Sequence, residues 1–432
     1  MSRVGYASSM ELPRPRNRSR RFDVVLWGAT GFTGKLTAEY LLRRHGGEDI
    51  RIALAGRNAA KLEAVKKELV EIDPAAERFE LLTGDSHDRA SLDALASRAE
   101  VVCTTVGPYA KYGADLVAAC VEAGTDYCDL TGEPQFVRRM IDAHQARATE
   151  TGARIVHCCG FDSIPSDIGT WTLVNEAKER FGINLDEVKL ITGRMKGGVS
   201  GGTIASMMQV IDEVREDRSI LRKIGNPYGL NPEGERKGPD IGDQKGVRYD
   251  EDLPGWTAPF VMASINTRVV RRSNALMGYP YGRDFRYSEC SGTGGGPKGL
   301  IRAASLAGGV AGIMAGASFG LTRKLLMTKL PAPGQGPSRD ERERGMFEIH
   351  LIGKGRNASG RPASIRGKVV GRADPGYGET AKMLGESALC LALDGDALDT
   401  PGGIGTPAFT MRSHLLDRLR AQGMEFTIGE PI

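Results

Sequence analysis

This sequence predicts an α/β fold: a Rossmann-type parallel sheet with an inserted α+β second domain. Three observations carry that expectation. A glycine-spaced strand–turn–helix stands near the start, strand and helix patterns alternate from there to Pro165, and beyond it the alternation gives way to separated strand-like runs. The layout expected is a basic arm (1–20), a first, Rossmann-type domain (21–165), a second, α+β domain (166–375) and a C-terminal helical segment (376–432).

The first element is "FDVVLWGATGFTG" (Phe22 to Gly34), an apolar strand running into Gly28, Gly31 and Gly34 and followed by the helical pattern "KLTAEYLLRR". The first glycine allows a tight turn, the second lets backbone approach a pyrophosphate, and the third lets helix and strand pack closely. Unpaired N–H groups at the helix start, together with its dipole, favour a phosphate there. Thr30, Phe32 and Thr33 complete this turn.

The second strand ends in Gly56-Arg57-Asn58, where a binder of unphosphorylated NAD places an acid on the ribose hydroxyls. An arginine fork suits a 2′-phosphate instead, and Lys61 follows it, so the cofactor expected is NADP(H). A surface arginine at a strand end is the plain alternative. The third strand, "FELLTGD", brings Asp85 toward the adenine end. The fourth ends in Val106-Gly107-Pro108-Tyr109, the fifth is "TDYCDLTGE", and the sixth is "ARIVHCCGFDSIPSD". Ligands of such sheets bind at the strands' carboxyl ends, so these loops form the candidate site.

Past Pro165, Glu187–Met195, Asp284–Cys290, Gly345–Gly355 and Ala363–Arg372 read as strands of a second sheet, with helices over Gly202–Asp217 and Pro259–Leu276. The polar Gly225–Gly246 stretch reads as a long mobile loop. Ala303 to Thr322 carries no charge, is flanked by Lys298, Arg302, Arg323 and Lys324, and repeats Gly308, Gly312, Gly316 and Gly320 on one helix face. Three readings stay open for it: a helix on or dipping into a membrane, a helix buried in the protein or a dimer interface, and a transmembrane span.

Composition excludes several classes. The net charge of +4 gives no case for nucleic acid, and much of the excess sits in "RPRNRSRR" (Arg14 to Arg21). That arm has no apolar run, so it reads as disordered and the protein as cytoplasmic, and under the first of the three readings 303–322 would make peripheral contact with the inner face of the plasma membrane. Seven cysteines without a CxxC pair read as reduced and buried, and no cluster has metal-ligand spacing.

In order and spacing, "GATGFTGKL", "ALAGRN", "TTVGPY", "YCDLTGE" and "CGFDSIPSD" resemble the saccharopine dehydrogenase-like oxidoreductases. "VSGGTIASM", "APFVMASINTRVVRRSNAL", "YGRDFRYSE" and "PGQGPSRDERERG" extend the likeness to the trans-acting enoyl reductases of cell-wall glycolipid synthesis. The resemblance implies an NADPH-dependent reduction of a carbon–carbon double bond in a lipid or acyl-thioester intermediate held by a polyketide synthase. It also implies that the Gly378–Leu393 helix returns to the nucleotide domain. A homodimer is expected.

Such a reduction leaves an enolate that must be stabilised and protonated. Tyr109 is the first proton-donor candidate and Tyr112 the second, the alternative for Tyr109 being a ring that only packs on the cofactor. Asp162, Ser163, Ser200, Gly201 and Thr203 are candidate substrate contacts, while Ser166 or Asp167 can equally cap a helix. His157 reads as a core or wall residue. The chain lacks the Y-x-x-x-K of short-chain dehydrogenases, since Tyr109 and Lys111 stand two apart. Two other functions stay open. A saccharopine-type imine oxidoreductase would use Arg194, Lys196, Arg268, Arg271 and Arg272 on carboxylates. A non-catalytic NADP-binding protein at a lipid surface would keep the fold without turnover.

Overall fold

The computed structural model describes residues 19–197, 201–317 and 336–431. Six parallel strands alternate with helices as the pattern predicts. They are β1 (Phe22–Trp27), β2 (Ile52–Gly56), β3 (Glu80–Thr83), β4 (Ala99–Thr104), β5 (Asp126–Asp129) and β6 (Arg154–Val156). Between them lie α1 (Phe32–His45), α2 (Ala59–Ile72), α3 (Arg89–Ala96), the single turn α4 (Tyr109–Tyr112), α5 (Ala114–Ala123) and α6 (Pro134–Thr151). Every residue of β1 is buried, as befits a strand covered on both faces. The late strand β13 (Gly403–Gly405) completes the order β13-β6-β5-β4-β1-β2-β3, all parallel. Chain direction across the sheet reverses between β1 and β4, which opens the crevice there.

Pro165 does not end the alternation. It occupies the first turn of α7 (Ile164–Phe181), where a missing N–H costs nothing and a fixed φ favours the helix. Gly169 lets α7 press on Leu351 and Val369, so this helix joins the first sheet to the second.

The second sheet contains β7 (Asn184–Lys196), β8 (Arg248–Asp250), β9 (Gly255–Pro259), β10 (Arg286–Gly294), β11 (Met346–Arg356), β12 (Pro362–Gly371) and β14 (Glu425–Ile428). Its order is β14-β12-β11-β7-β10-β9-β8, parallel at β7/β10 and antiparallel elsewhere. The four strands read from sequence are β7, β10, β11 and β12. The three short ones, β8, β9 and β14, carry too little pattern to be seen alone. Helices α8 (Gly201–Glu216), α9 (Ser219–Gly225), α10 (Ala263–Leu276) and α11 (Gly296–Ala317) belong to this half. α10 begins later than the apolar pattern suggests, because Gly255–Pro259 is spent on pairing with β10.

The Gly225–Gly246 stretch is not a loose loop. Three buried arginines on α10 tie it down. Arg268 pairs with Asp243 and donates to the Ile224 carbonyl, Arg271 reaches Asp240 (2.6 Å) and the Pro227 carbonyl, and Arg272 donates to the Leu230 carbonyl. The loop's own carbonyls and carboxylates supply the partners that buried guanidinium groups need. Likewise Arg20, expected in the disordered arm, is buried and donates to carbonyls of Ala96 and Ala123. The remainder of the arm, 1–18, lies outside the described residues.

The helix Thr380–Leu393 lies against α1, β1, β4 and β5. Its fully buried Glu386 accepts from Tyr40 Oη (2.6 Å), bonds His45 Nε2 (2.8 Å) and faces Arg418 (3.5 Å). The chain then gives β13 to the first sheet and β14 to the second, so its end stitches both halves together.

Candidate functional site

The glycine turn between β1 and α1 has the shape a pyrophosphate needs. Gly28 sits at φ +94°, and a Cβ there would come within 2.6 Å of the Val106 side chain. A Cβ at Gly34 would overlap the Gly28 carbonyl oxygen, so the third glycine is what lets α1 close on the strand. Gly31 is exposed, and only the Gly28 oxygen lies near its vacant Cβ position, which leaves its outer side open. α1 has no side-chain cap and no acidic residue in its first turn, so its N-terminal N–H groups and dipole are uncompensated. Thr30, Phe32 and Thr33 line the same turn half-buried.

At the end of β2, Arg57 and Lys61 are exposed, and neither side chain has an ion-pair partner among the described residues. Asn58 is committed to capping α2, its Oδ1 accepting from Lys61 N at 2.9 Å. Asp85 is half-buried, and its Oδ1 accepts from His87 N in its own loop. Open turn, bare helix terminus and two free cations with no acid at the β2 end together fit a dinucleotide carrying a 2′-phosphate.

The loop after β4 behaves differently from the reading of its tyrosines. Tyr109 is 3% exposed, its hydroxyl donates to the Thr104 carbonyl (3.1 Å), and burial pushes its phenol well above the usual range. The hydroxyl expected as a proton donor is thus buried and engaged within the loop. Tyr112 is half-buried with its ring against His87 of the loop after β3 (5.6 Å) and beneath Lys111. Val106 and Pro108 are half-buried and Gly107 is exposed along this loop.

Glu133 is a group the pattern did not single out. It is fully buried and accepts from the backbone N–H groups of Tyr109 (2.9 Å) and Ala110 (2.8 Å) and from Ser206 Oγ (2.7 Å). Burial raises its carboxyl, with those three bonds opposing. It thereby caps α4 and ties the β4 loop to α8 across the cleft.

Asp129, at the end of β5, accepts from His157 Nδ1 (2.7 Å), Tyr127 Oη (2.9 Å), Thr131 N and Cys158 N (both 3.1 Å). This buried hub shapes the β5 and β6 loops, and His157 is a wall residue within it. Beyond β6, Ser163 is fully buried and donates to Asn266 Oδ1 (3.0 Å), whose Nδ2 donates to the buried Glu289. Ser163, expected as a substrate contact, is thus engaged in bracing α7 against α10. Asp167 is also buried, accepting from Ser273 Oγ (2.5 Å) and Ala408 N (2.8 Å).

Asp162 stands apart. It is half-buried, has no hydrogen-bond or ion partner among the described residues, and burial lifts its carboxyl to about 7. Its Oδ2 and Met262 Cε converge on Gly132, where a Cβ would meet them at 3.6 and 3.2 Å. The β5 loop, the β6 loop and the start of α10 thus meet at an unpaired acid at the carboxyl edge of the sheet. Gly201 is buried and its N–H donates to Tyr377 Oη (3.3 Å), a ring that also packs on Phe32 (4.7 Å). Ser200 and the Thr203 side chain lie outside the described residues.

The comparisons agree with this architecture. Residues 24–156 match the family described as the saccharopine dehydrogenase NADP-binding domain. The chain is 45% identical over 419 residues to a Mycobacterium tuberculosis (H37Rv) protein provisionally named a trans-acting enoyl reductase, covering 94% of this chain and 97% of that one. It is 42% identical over 416 residues, with the same coverage, to the trans-acting enoyl reductase of Mycobacterium bovis (BCG / Pasteur 1173P2). Among solved structures, apo saccharopine dehydrogenase (L-Glu forming) from Saccharomyces cerevisiae has a TM-score of 0.52 at 12% identity, over 94% of this chain and 99% of that one. That likeness shows the fold. The cofactor is NADP(H).

Proposed function

Because the chain belongs to the trans-acting enoyl reductases of the saccharopine dehydrogenase-like family, we propose that it reduces the carbon–carbon double bond of an acyl thioester carried by a polyketide synthase. It is an NADP-dependent oxidoreductase, and the enoyl substrate is the part that rests on its relatives' names. Bound NADPH supplies the hydride for the β-carbon. The residues of this chain bind, orient and protonate. The Gly28–Gly34 turn and the start of α1 hold the pyrophosphate, Arg57 and Lys61 take the 2′-phosphate, and Asp85 faces the adenine end. Val106 to Tyr109 form the wall beside the nicotinamide.

The observation that carries the catalytic reading is Asp162. An enolate needs a proton at its α-carbon, and a general acid works best with a pKa near the working pH. Asp162 has that property, no competing partner among the described residues, and a place where the β5 loop, the β6 loop and the start of α10 meet. It replaces Tyr109 and Tyr112 as the proton donor.

An imine between amino acids is disfavoured by the same structure. Of the five cations such a substrate would use, Arg268, Arg271 and Arg272 are buried in bonds to the Gly225–Gly246 stretch and Arg194 faces Glu348 at 3.5 Å, which leaves Lys196 exposed.

The test is turnover of full-length protein with NADPH and a 2-enoyl thioester, followed by cofactor absorbance and product mass. Appearance of the saturated thioester, slower with NADH, is the expected result. Cofactor that binds without reducing any enoyl thioester, yet is oxidised by a 2-oxo acid with an amino acid, would replace this function by the imine reaction.

A further inference from the structure

The α11 helix, 22 residues and about 33 Å long, touches the rest of the protein mainly at its root. There Gly299 fits so closely on Gly294 and Trp256 that a Cβ would collide, and Ala303 is buried. The other sides of the helix are exposed from the root onward: Ile301 is 65% exposed, Leu306 41%, and at Gly308, Gly309 and Gly312 a Cβ would meet nothing within 4 Å. Leu306, Val310 and Ile313 share one face at i, i+4 and i+7, with Leu306 exposed and the other two half-buried, while the exposed Ile301 lies on the opposite face with Gly308 and Gly312. Beyond Arg302 the helix carries no charge, and the apolar surface it leaves exposed among the described residues marks an interaction site.

Charge indicates what covers it. No Asp or Glu occurs between Cys290 and Arg339, whereas Lys298 and Arg302 are exposed on the helix and the sequence continues through Arg323, Lys324 and Lys329. A second copy of this helix would bring like charges together. An anionic surface would neutralise them. The root adds a second sign. Trp256 packs against it, and the Tyr249 ring, 53% exposed, sits edge-on to Trp256 at 5.4 Å beside exposed Arg248. Amphipathic aromatics with basic neighbours suit the headgroup layer of a bilayer. Asp250 and Asp252 of the same hairpin are paired with Lys189, leaving Glu251 as its exposed acid. Among the described residues no helix is long and apolar enough to cross a membrane.

We infer that α11, with the Tyr249–Trp256 pair at its root, is a docking surface for an anionic lipid bilayer, on which the helix lies without spanning it. This inference is independent of the reaction assigned above, because it rests on exposure and charge outside the cleft.

The experiment is co-sedimentation of full-length protein with vesicles of phosphatidylcholine alone or mixed with phosphatidylglycerol. Two variants, Ile301→Glu/Leu306→Glu and Lys298→Glu/Arg302→Glu, are compared, with NADPH titration reporting that each is folded. Binding to the anionic vesicles, about tenfold weaker to neutral ones and about tenfold weaker in either variant at unchanged NADPH affinity, is expected. A wild type that ignores both vesicles overturns the proposal. So does a wild-type dimer that the Ile301→Glu/Leu306→Glu variant splits without any vesicle binding, since a second copy would then cover the helix.

Discussion

Changing Asp162 to Asn separates the acid's chemistry from its packing, because the side chain keeps its size and loses its proton. Burial lifts this carboxyl from 3.8 to about 7. With that value, about nine-tenths of the protein is protonated at pH 6 and about one-tenth at pH 8. The wild-type rate with an enoyl thioester should therefore fall roughly tenfold per unit above pH 7, if the acid acts in the limiting step. The Asn variant should lose about 10²–10⁴ of the rate, and its residue of activity should be flat across this window. Stability gives an independent reading. The folded state keeps the proton up to about 7, while the unfolded chain releases it near 3.8. The stabilisation is thus fully present below pH 3.8 and is lost as pH rises through 7. Its ceiling is about 4 kcal/mol, from roughly three units at 1.36 kcal/mol each, and partial exposure lowers it. Urea unfolding should show the Asn variant gaining on wild type between pH 5 and 8. A stability gap without a rate defect would leave Asp162 buried as described but not the donor. A wild-type rate that is level from pH 6 to 8, with full activity in the variant, would refute the assignment.

Arg57→Ala should weaken NADPH about 10- to 100-fold and leave NADH almost unchanged, because the exposed guanidinium has no internal partner to lose; equal losses for both nucleotides in a fluorescence titration would place the 2′-phosphate elsewhere. Arg272→Met strips donors from the buried Leu230 and Ile404 carbonyls and should cost about 2–5 kcal/mol in urea unfolding, with a cost below about 1 kcal/mol contradicting the anchoring of the loop. Burial lowers the pKa of His45, but the hydrogen bonds and charges of Glu386 and Glu48 together outweigh it and raise the imidazole above 6.5. Its stabilisation is complete below pH 6.5 and disappears as pH rises through the folded value, so the urea midpoint should fall across that rise in wild type and fall less in His45→Gln. An identical pH dependence in both proteins would show that the Glu386 cluster does not depend on that charge.

The sequence by itself determined the nucleotide half. Strand and helix periods, three glycines and an arginine at a strand end are local signals, and a parallel sheet with short connections turns local order into spatial order. The close packing at Gly28 and Gly34 and the place of Arg57 at the end of β2 were therefore legible, since they depend on neighbours a few residues away or on the adjacent strand. The second sheet's long strands were legible too, while β8, β9 and β14 were not, because three to five residues carry no period. What only the tertiary structure decided is where side chains point and what saturates them. Tyr109 and Tyr112 stand in the expected loop, yet one hydroxyl faces the Thr104 carbonyl and the other ring faces His87. Arg268, Arg271 and Arg272 resemble a solvated face in the chain, yet they are buried because a distant loop supplies their carboxylates and carbonyls. Asp162 has its acid strength set by low exposure and the absence of a partner, which are properties of assembled neighbours and leave no trace in a run of letters.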